Sequence, residues 1–133
     1  MKQKIEPEND YIVLIVEDDE LLQKALFDAM KAKGIRAIIA PDGADALRKA
    51  NNQAFDGIVI DMNLPKRMGH QVIEVVRSNG PCINSVIIVL SGSLNKELLG
   101  TIARSIQKAF TKPANIETVV ETLIDFMRKK ARA

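Results

Sequence analysis

Ile12-Val13-Leu14-Ile15-Val16 leads straight into Glu17-Asp18-Asp19. Two later stretches repeat the pattern, Ile58-Val59-Ile60 running into Asp61 and Val86-Ile87-Ile88-Val89-Leu90 into Ser91. Apolar runs this short and this rich in β-branched residues read as strands buried on both faces. Between them the spacing turns helical: Leu21, Leu22, Ala25, Leu26, Ala29 and Met30 form one stripe, closed by Gly34, a residue suited to the left-handed turn after a helix. Strand alternating with helix predicts a parallel sheet, and ligands of such sheets collect outside the carboxyl ends of the strands. Three carboxylates and a hydroxyl are therefore expected in one crevice.

The same alternation extends to both sides. Ile35 to Ala40 is a second strand, and Asp42 is placed to cap a helix over about residues 43–53. Pro65 to Met68 must be loop. A third helix is predicted from about His70 to Asn79, stopped by Gly80-Pro81. The fourth helix starts at Ser93 or Asn95 and buries Leu98, Leu99, Ile102, Ala103 and Ile106. A short strand from Lys108 to Thr111 follows, and Asn115 opens a last helix with the stripe Ile116, Val119, Val120, Leu123, Ile124 and Met127. Five strand-helix units with right-handed crossovers give an α/β sandwich, a parallel five-stranded sheet between two layers of helices.

Composition narrows the class. At 133 residues the chain is one ordinary domain, and 47% hydrophobic with 27% charged residues is a globular balance. The lone Cys82, between Pro81 and a strand, excludes an internal disulfide and reads as packing. No apolar run reaches the length of a membrane span and no charged-then-apolar leader stands at Met1, so a cytoplasmic location and no membrane partner are expected. The net charge of +2 is unevenly placed, because residues 5–127 carry 13 basic against 17 acidic side chains. The basic excess sits at the two ends without interleaved aromatics, so no direct nucleic-acid binding is expected. Residues 1–10 are expected to be a flexible extension, 11–128 the domain, and 129–133 a basic tail.

Asp18, Asp61, Ser91 and Lys112 each lie at or just past a predicted strand end. With their neighbours, Val16-Glu17-Asp18-Asp19-Glu20, Asp61-Met62-Asn63-Leu64-Pro65, Ser91-Gly92 and Lys112-Pro113, they resemble the receiver domain of two-component response regulators. The resemblance covers about residues 11–128 and implies a flavodoxin-like (βα)5 fold with strand order 2-1-3-4-5. It implies that Asp61 accepts a phosphoryl group, with Lys112 and Ser91 assisting. Glu17, Asp18, Asp61 and the main-chain carbonyl of Asn63 would hold Mg2+, a cation that favours hard oxygen ligands. It also implies a cis Lys112-Pro113 bond. The implied partners are a sensor histidine kinase or histidine phosphotransfer protein, and a downstream protein meeting the helix 4, strand 5 and helix 5 face. Such a domain promotes only its own phosphorylation and dephosphorylation. The alternative is a pseudo-receiver, the same fold acting as a phosphorylation-independent interaction module.

Plainer roles fit other residues. Asp19 and Glu20 suit the positive end of a helix dipole, as Arg128-Lys129-Lys130 suit the negative end. His70, the sole histidine, has no companion at ligand spacing and is expected to face solvent in the first turn of helix 3. A phosphohydrolase of diffusible substrates is disfavoured by Asn63, which stands where such an enzyme would carry a second Asp, and by the lack of a cap insertion. The chain departs from the family three positions before Lys112, where Ala109 replaces the usual aromatic. Ser105-Ile106 replaces the usual Gly-Ala, and Met68 the common Asp before Gly69. The chemistry is thus expected intact and the readout altered, with any switch running through Ser91, Gly92 and the loop into helix 4.

Overall fold

The structure, a computed structural model, describes residues 10–132. The expected flexible extension therefore lies outside the described residues, except for Asp10. Five strands, β1 (Ile12–Val16), β2 (Arg36–Ala40), β3 (Gly57–Ile60), β4 (Val86–Ser91) and β5 (Lys108–Thr111), alternate with α1 (Glu20–Ala32), α2 (Gly43–Asn52), α3 (Gly69–Ser78), α4 (Lys96–Ile102) and α5 (Ile116–Arg132). All strand pairs are parallel and the sheet order is β2-β1-β3-β4-β5, as expected.

Successive side chains on a strand point to opposite faces, so each buried run feeds two cores. Leu14, Val16, Ile58, Ile60, Ile87 and Val89 pack with α2, α3 and the end of α4. Val13, Ile15, Val59, Ile88 and Leu90 pack with Leu26 and Met30 of α1 and Leu123 and Met127 of α5. Full burial of one such side chain stabilises by about 1.5–3 kcal/mol, which is why β-branched runs so short hold the middle of the sheet.

Local chemistry sets the helix ends. Asp19 caps α1 by accepting from the Leu21 N–H at 3.0 Å, and Asp42 caps α2 by accepting from the Asp45 N–H at 2.7 Å. Asn95 and Asn115 accept from the Leu98 and Thr118 N–H groups at the starts of α4 and α5. The Asp45 N–H bond holds the Asp42 carboxyl below its ordinary range. Gly34 takes φ +81° after α1, as its position predicts.

Four expectations need correction. Residues 129–132 are not a tail but the last turn of α5, which Lys129, Lys130 and Arg132 extend by complementing the dipole. Helix α4 ends at Ile102 in a 3₁₀ turn, Ala103–Ser105, so Ala103 is exposed and Ile106 belongs to the approach to β5. Strand β4 runs one residue further, to Ser91. His70 does not face solvent: it is half-buried, and its Nδ1 is enclosed without a hydrogen-bond partner. Gly69 explains this, because a side chain there would drive into the Asp61 carbonyl, and the bare Cα lets the first turn of α3 press onto the loop after β3.

Candidate functional site

The parallel strands bring their carboxyl ends together, and with them the residues that follow. Glu17 comes directly after β1 and Asp61 directly after β3, while Ser91 closes β4 and Lys112 follows β5. Glu17 is 2% exposed, Asp61 6% and Ser91 0%, so three polar groups lie at core depth. Asp18 points outward at the mouth. Ligand oxygens of Glu17, Asp18 and Asp61 all lie within 4.8 Å of one another.

Lys112 joins the cluster from the end of the edge strand β5. Its Nζ donates to Asp61 Oδ2 at 2.8 Å and to Glu17 Oε1 at 3.0 Å. The Lys112-Pro113 peptide is cis, as the family resemblance implied. The second oxygen of each carboxylate is also held: the Asn63 N–H donates to Asp61 Oδ1 at 3.0 Å and the Asp19 N–H to Glu17 Oε2 at 3.1 Å. Gln23 Nε2 fixes the Glu17 carbonyl at 2.6 Å. Burial raises Glu17 above its ordinary carboxyl value and the Asp61 charge adds to this, although Lys112 and the Asp19 N–H pull it back. For Lys112 burial alone would lower the ammonium, but hydrogen bonds to Asp61 and Glu17 outweigh it and hold the group above its ordinary value.

With all groups ionised, Glu17, Asp18, Asp61 and Lys112 carry a formal charge of −2. Two carboxylates about 4 Å apart repel by about 4 kcal/mol at an effective dielectric of 20, and a divalent cation relieves what Lys112 leaves uncompensated. The donor set, two buried carboxylates with an exposed third at the mouth, fits a hard cation that keeps part of its water.

One participant escaped the sequence reading. The Asn63 side chain reaches across the mouth and donates to Ser93 Oγ at 2.5 Å, joining the loop after β3 to the loop after β4, and the Ser93 N–H faces Ser91 Oγ at 3.4 Å. The loop after β3 is pinned on its far side as well. Lys66, with φ +72°, approaches Asp42 at 3.5 Å, and the Gly43 N–H donates to the Pro65 carbonyl at 3.2 Å. Any side chain at Gly43 would collide with the Arg67 carbonyl.

The response regulator receiver domain family model matches residues 13–124. The chain belongs to that family. Curated relatives of this receiver include the probable transcriptional regulatory protein TcrX of Mycobacterium tuberculosis, 29% identical over 117 residues, 88% of this chain and 50% of that protein. The sensor histidine kinase RcsC of Salmonella typhimurium is 25% identical over 127 residues, 94% of this chain but 13% of that protein. The receiver thus spans half of the first relative and a small part of the second. Among solved structures it is similar to the receiver domain of the Francisella response regulator 1452, with a TM-score of 0.81 and 26% identity over 92% of this chain and 99% of that one. The chemotaxis response regulator CheY4 of Vibrio cholerae gives 0.78 and 27% over 86% and 96%. The receiver domain of the Pseudomonas aeruginosa sensor kinase PA1611, solved with a magnesium ion in its active site cleft, shares the fold at a TM-score of 0.79 and 22% identity, over 90% of this chain and 98% of that one. Among the described residues no helix is long and apolar enough to cross a membrane.

Proposed function

We propose that this receiver accepts a phosphoryl group on the Asp61 carboxylate and signals by changing its affinity for a protein partner. The donor is the phosphohistidine of a sensor histidine kinase or histidine phosphotransfer protein, or a small acyl phosphate. An Asp61 oxygen forms the new O–P bond as the donor's bond to phosphorus breaks; a departing imidazole takes up a proton, and an acyl phosphate releases its carboxylate. The observation that carries this reading is the shared Lys112 ammonium, 2.8 Å from Asp61 and 3.0 Å from Glu17, beside three clustered carboxylates.

Lys112 neutralises charge on the transferring oxygens and, already aimed at Asp61, needs little rearrangement to do so. Ser91 donates its hydroxyl to a phosphoryl oxygen. Glu17, Asp18, Asp61 and the main-chain carbonyl of Asn63 would hold Mg2+, which would supply further positive charge for the same oxygens. The magnesium in the PA1611 receiver supports this assignment. The new charge-assisted bond of Ser91 contributes about 1.5–3 kcal/mol, while the Lys112 ammonium exchanges its bond to the Asp61 carboxylate for one to the phosphoryl group; a gain of that size shifts a two-state equilibrium about 10- to 150-fold.

The output runs from Ser91 and Gly92 into the face made by α4, β5 and α5. Ala109 has no ring to swing, so the change travels with the loop into α4, where Asn63 and Ser93 rearrange their contact. Ala109 is also what favours the second reading, a phosphorylation-independent interaction module. Intact mass in acetyl phosphate separates the two. A gain of one phosphoryl group that needs magnesium and vanishes in Asp61→Ala supports the phosphoacceptor. No gain in the wild type leaves the interaction module, and a gain that survives in Asp61→Ala sinks the assignment.

A further inference from the structure

At the opposite end of the sheet an open cleft of about 600 Å³ gathers Arg77 from the end of α3, Arg104 from the 3₁₀ turn, and Lys129 and Lys130 from the last turn of α5. Its floor and rim are partly apolar: Ile83 is 41% exposed, and Phe126 lies with its ring 5.7 Å from Lys129 Nζ. We infer that this cleft docks an acidic segment of a partner protein that also carries apolar side chains.

Charge placement carries the argument. Among the described residues no carboxylate lines the cleft, and of its four cations only Lys129 has an ion pair, with Asp125 at 3.2 Å, both partners more than 60% exposed. Such a pair is weak and easily exchanged. Arg77 is the telling member. Its guanidinium donates to the carbonyls of Ser105 at 2.8 Å, Ile83 at 2.9 Å and Ser85 at 2.7 Å, and meets Gln107 Oε1 at 3.4 Å. Every one of these acceptors is neutral, so a half-buried positive charge is oriented but not compensated. Burial accordingly lowers its pKa from the ordinary value. The whole chain carries a net charge of only +2, so four cations gathered in one cleft without a lining carboxylate are a local concentration of positive charge that focuses the field on an incoming anion.

A peptide fits better than a nucleic acid. A duplex presents phosphates continuously along its length and needs an extended basic track. Here the cations close around one cleft, and the outward side of α5 next to it bears Glu121 and Asp125. An apolar centre with a charged rim is the ordinary anatomy of a protein interface. The surface lies at the opposite end of the sheet from the Asp61 crevice.

The test is a titration of the whole chain with a synthetic peptide alternating glutamate and leucine, followed by amide chemical shifts at low and physiological salt. Expected is saturable binding that weakens with salt, with shifts clustered at Ile83, Asn84, Arg104, Gln107 and the end of α5. The exposed double charge reversal Arg104→Glu with Lys130→Glu should bind about tenfold more weakly. That variant should gain phosphate from acetyl phosphate as the wild type does, so this outcome is separate from the Asp61 reading. Equal binding by the variant, shifts centred elsewhere, or no saturable binding overturns the inference. So does a short DNA duplex that displaces the peptide at lower concentration, which would make the cleft a nucleic-acid surface.

Discussion

The crevice at the carboxyl ends of β1, β3 and β4 and the flank formed by α4 and β5 belong to one sheet but are held in opposite ways. In the crevice, both oxygens of Glu17 and both oxygens of Asp61 have donors, and Lys112 ties the two residues together. In the flank, α4 has seven residues and one buried side chain, Ile102, while Leu98, Leu99 and Ala109 are only half-buried. Phosphoryl transfer needs groups at fixed positions, whereas a readout needs a segment that moves for little free energy. The division follows from side-chain choice: hydrogen-bonded charge on one side, sparse apolar contact on the other.

The largest effect expected is on the crevice. Lys112→Ala leaves two buried carboxylates without their cation, and the rate of phosphorylation by acetyl phosphate should fall about 10²–10³-fold. A rate within a few-fold of wild type would mean that the ammonium is structural. Packing is the next contrast. Leu123→Ala, at a fully buried position of α5, should lower unfolding free energy by about 3 kcal/mol, and Leu99→Ala, at a half-buried position of α4, by about 1 kcal/mol. Denaturant midpoints check this, and equal costs would show that α4 is as firmly seated as α5.

Smaller shifts sharpen the electrostatic half. Asp18→Asn should raise stability in chelator by about 0.5 kcal/mol, since Asp18 is exposed and solvent screens it, while weakening magnesium binding. An unchanged or lower thermal midpoint would show that the carboxylates do not repel. Glu17 adds a pH dependence with a definite sign. Its native value is raised, so the stability it contributes is complete below its ordinary 4.5 and is lost as pH rises through the raised value. In chelator, Glu17→Gln should therefore gain on the wild type as pH rises from 4.5 toward neutrality, and a constant difference would contradict the raised value. Least of all should phosphorylation change in Ala109→Tyr, which should instead alter partner binding, as pull-down with and without beryllofluoride would show.

Most of this architecture could be read from the chain because its signals are local. A run such as Val86 to Leu90 is a strand wherever it is placed, and Asp42, Asn95 and Asn115 cap helices through contacts within three residues. The site residues were legible because parallel strands all end on one side, so placing Asp61 and Lys112 on strand ends also places them near each other. What failed was nonlocal. Ser93 looked like a helix cap, but its hydroxyl partner is Asn63, 30 positions away. The helical spacing of Ile102 and Ile106 continued past the real end of α4, because periodicity does not register that the chain must turn into β5. The solvent-facing reading of His70 missed a close backbone approach two residues wide, at Asp61 and Met62, that only the folded loop creates.

The absence of a side chain at Gly43 has a consequence for how this protein tolerates change. Because α2 begins against the Arg67 carbonyl, a substitution at position 43 displaces a loop whose other end holds the Asn63 N–H on Asp61. Two positions 20 residues apart, one carrying no functional group at all, are therefore obliged to vary together: a lineage that acquires a larger residue at 43 must first lengthen or reshape the segment from Pro65 to Met68. In a saturation library the start of α2 should behave as part of the crevice, with variants that fold normally and yet fail to take up phosphate.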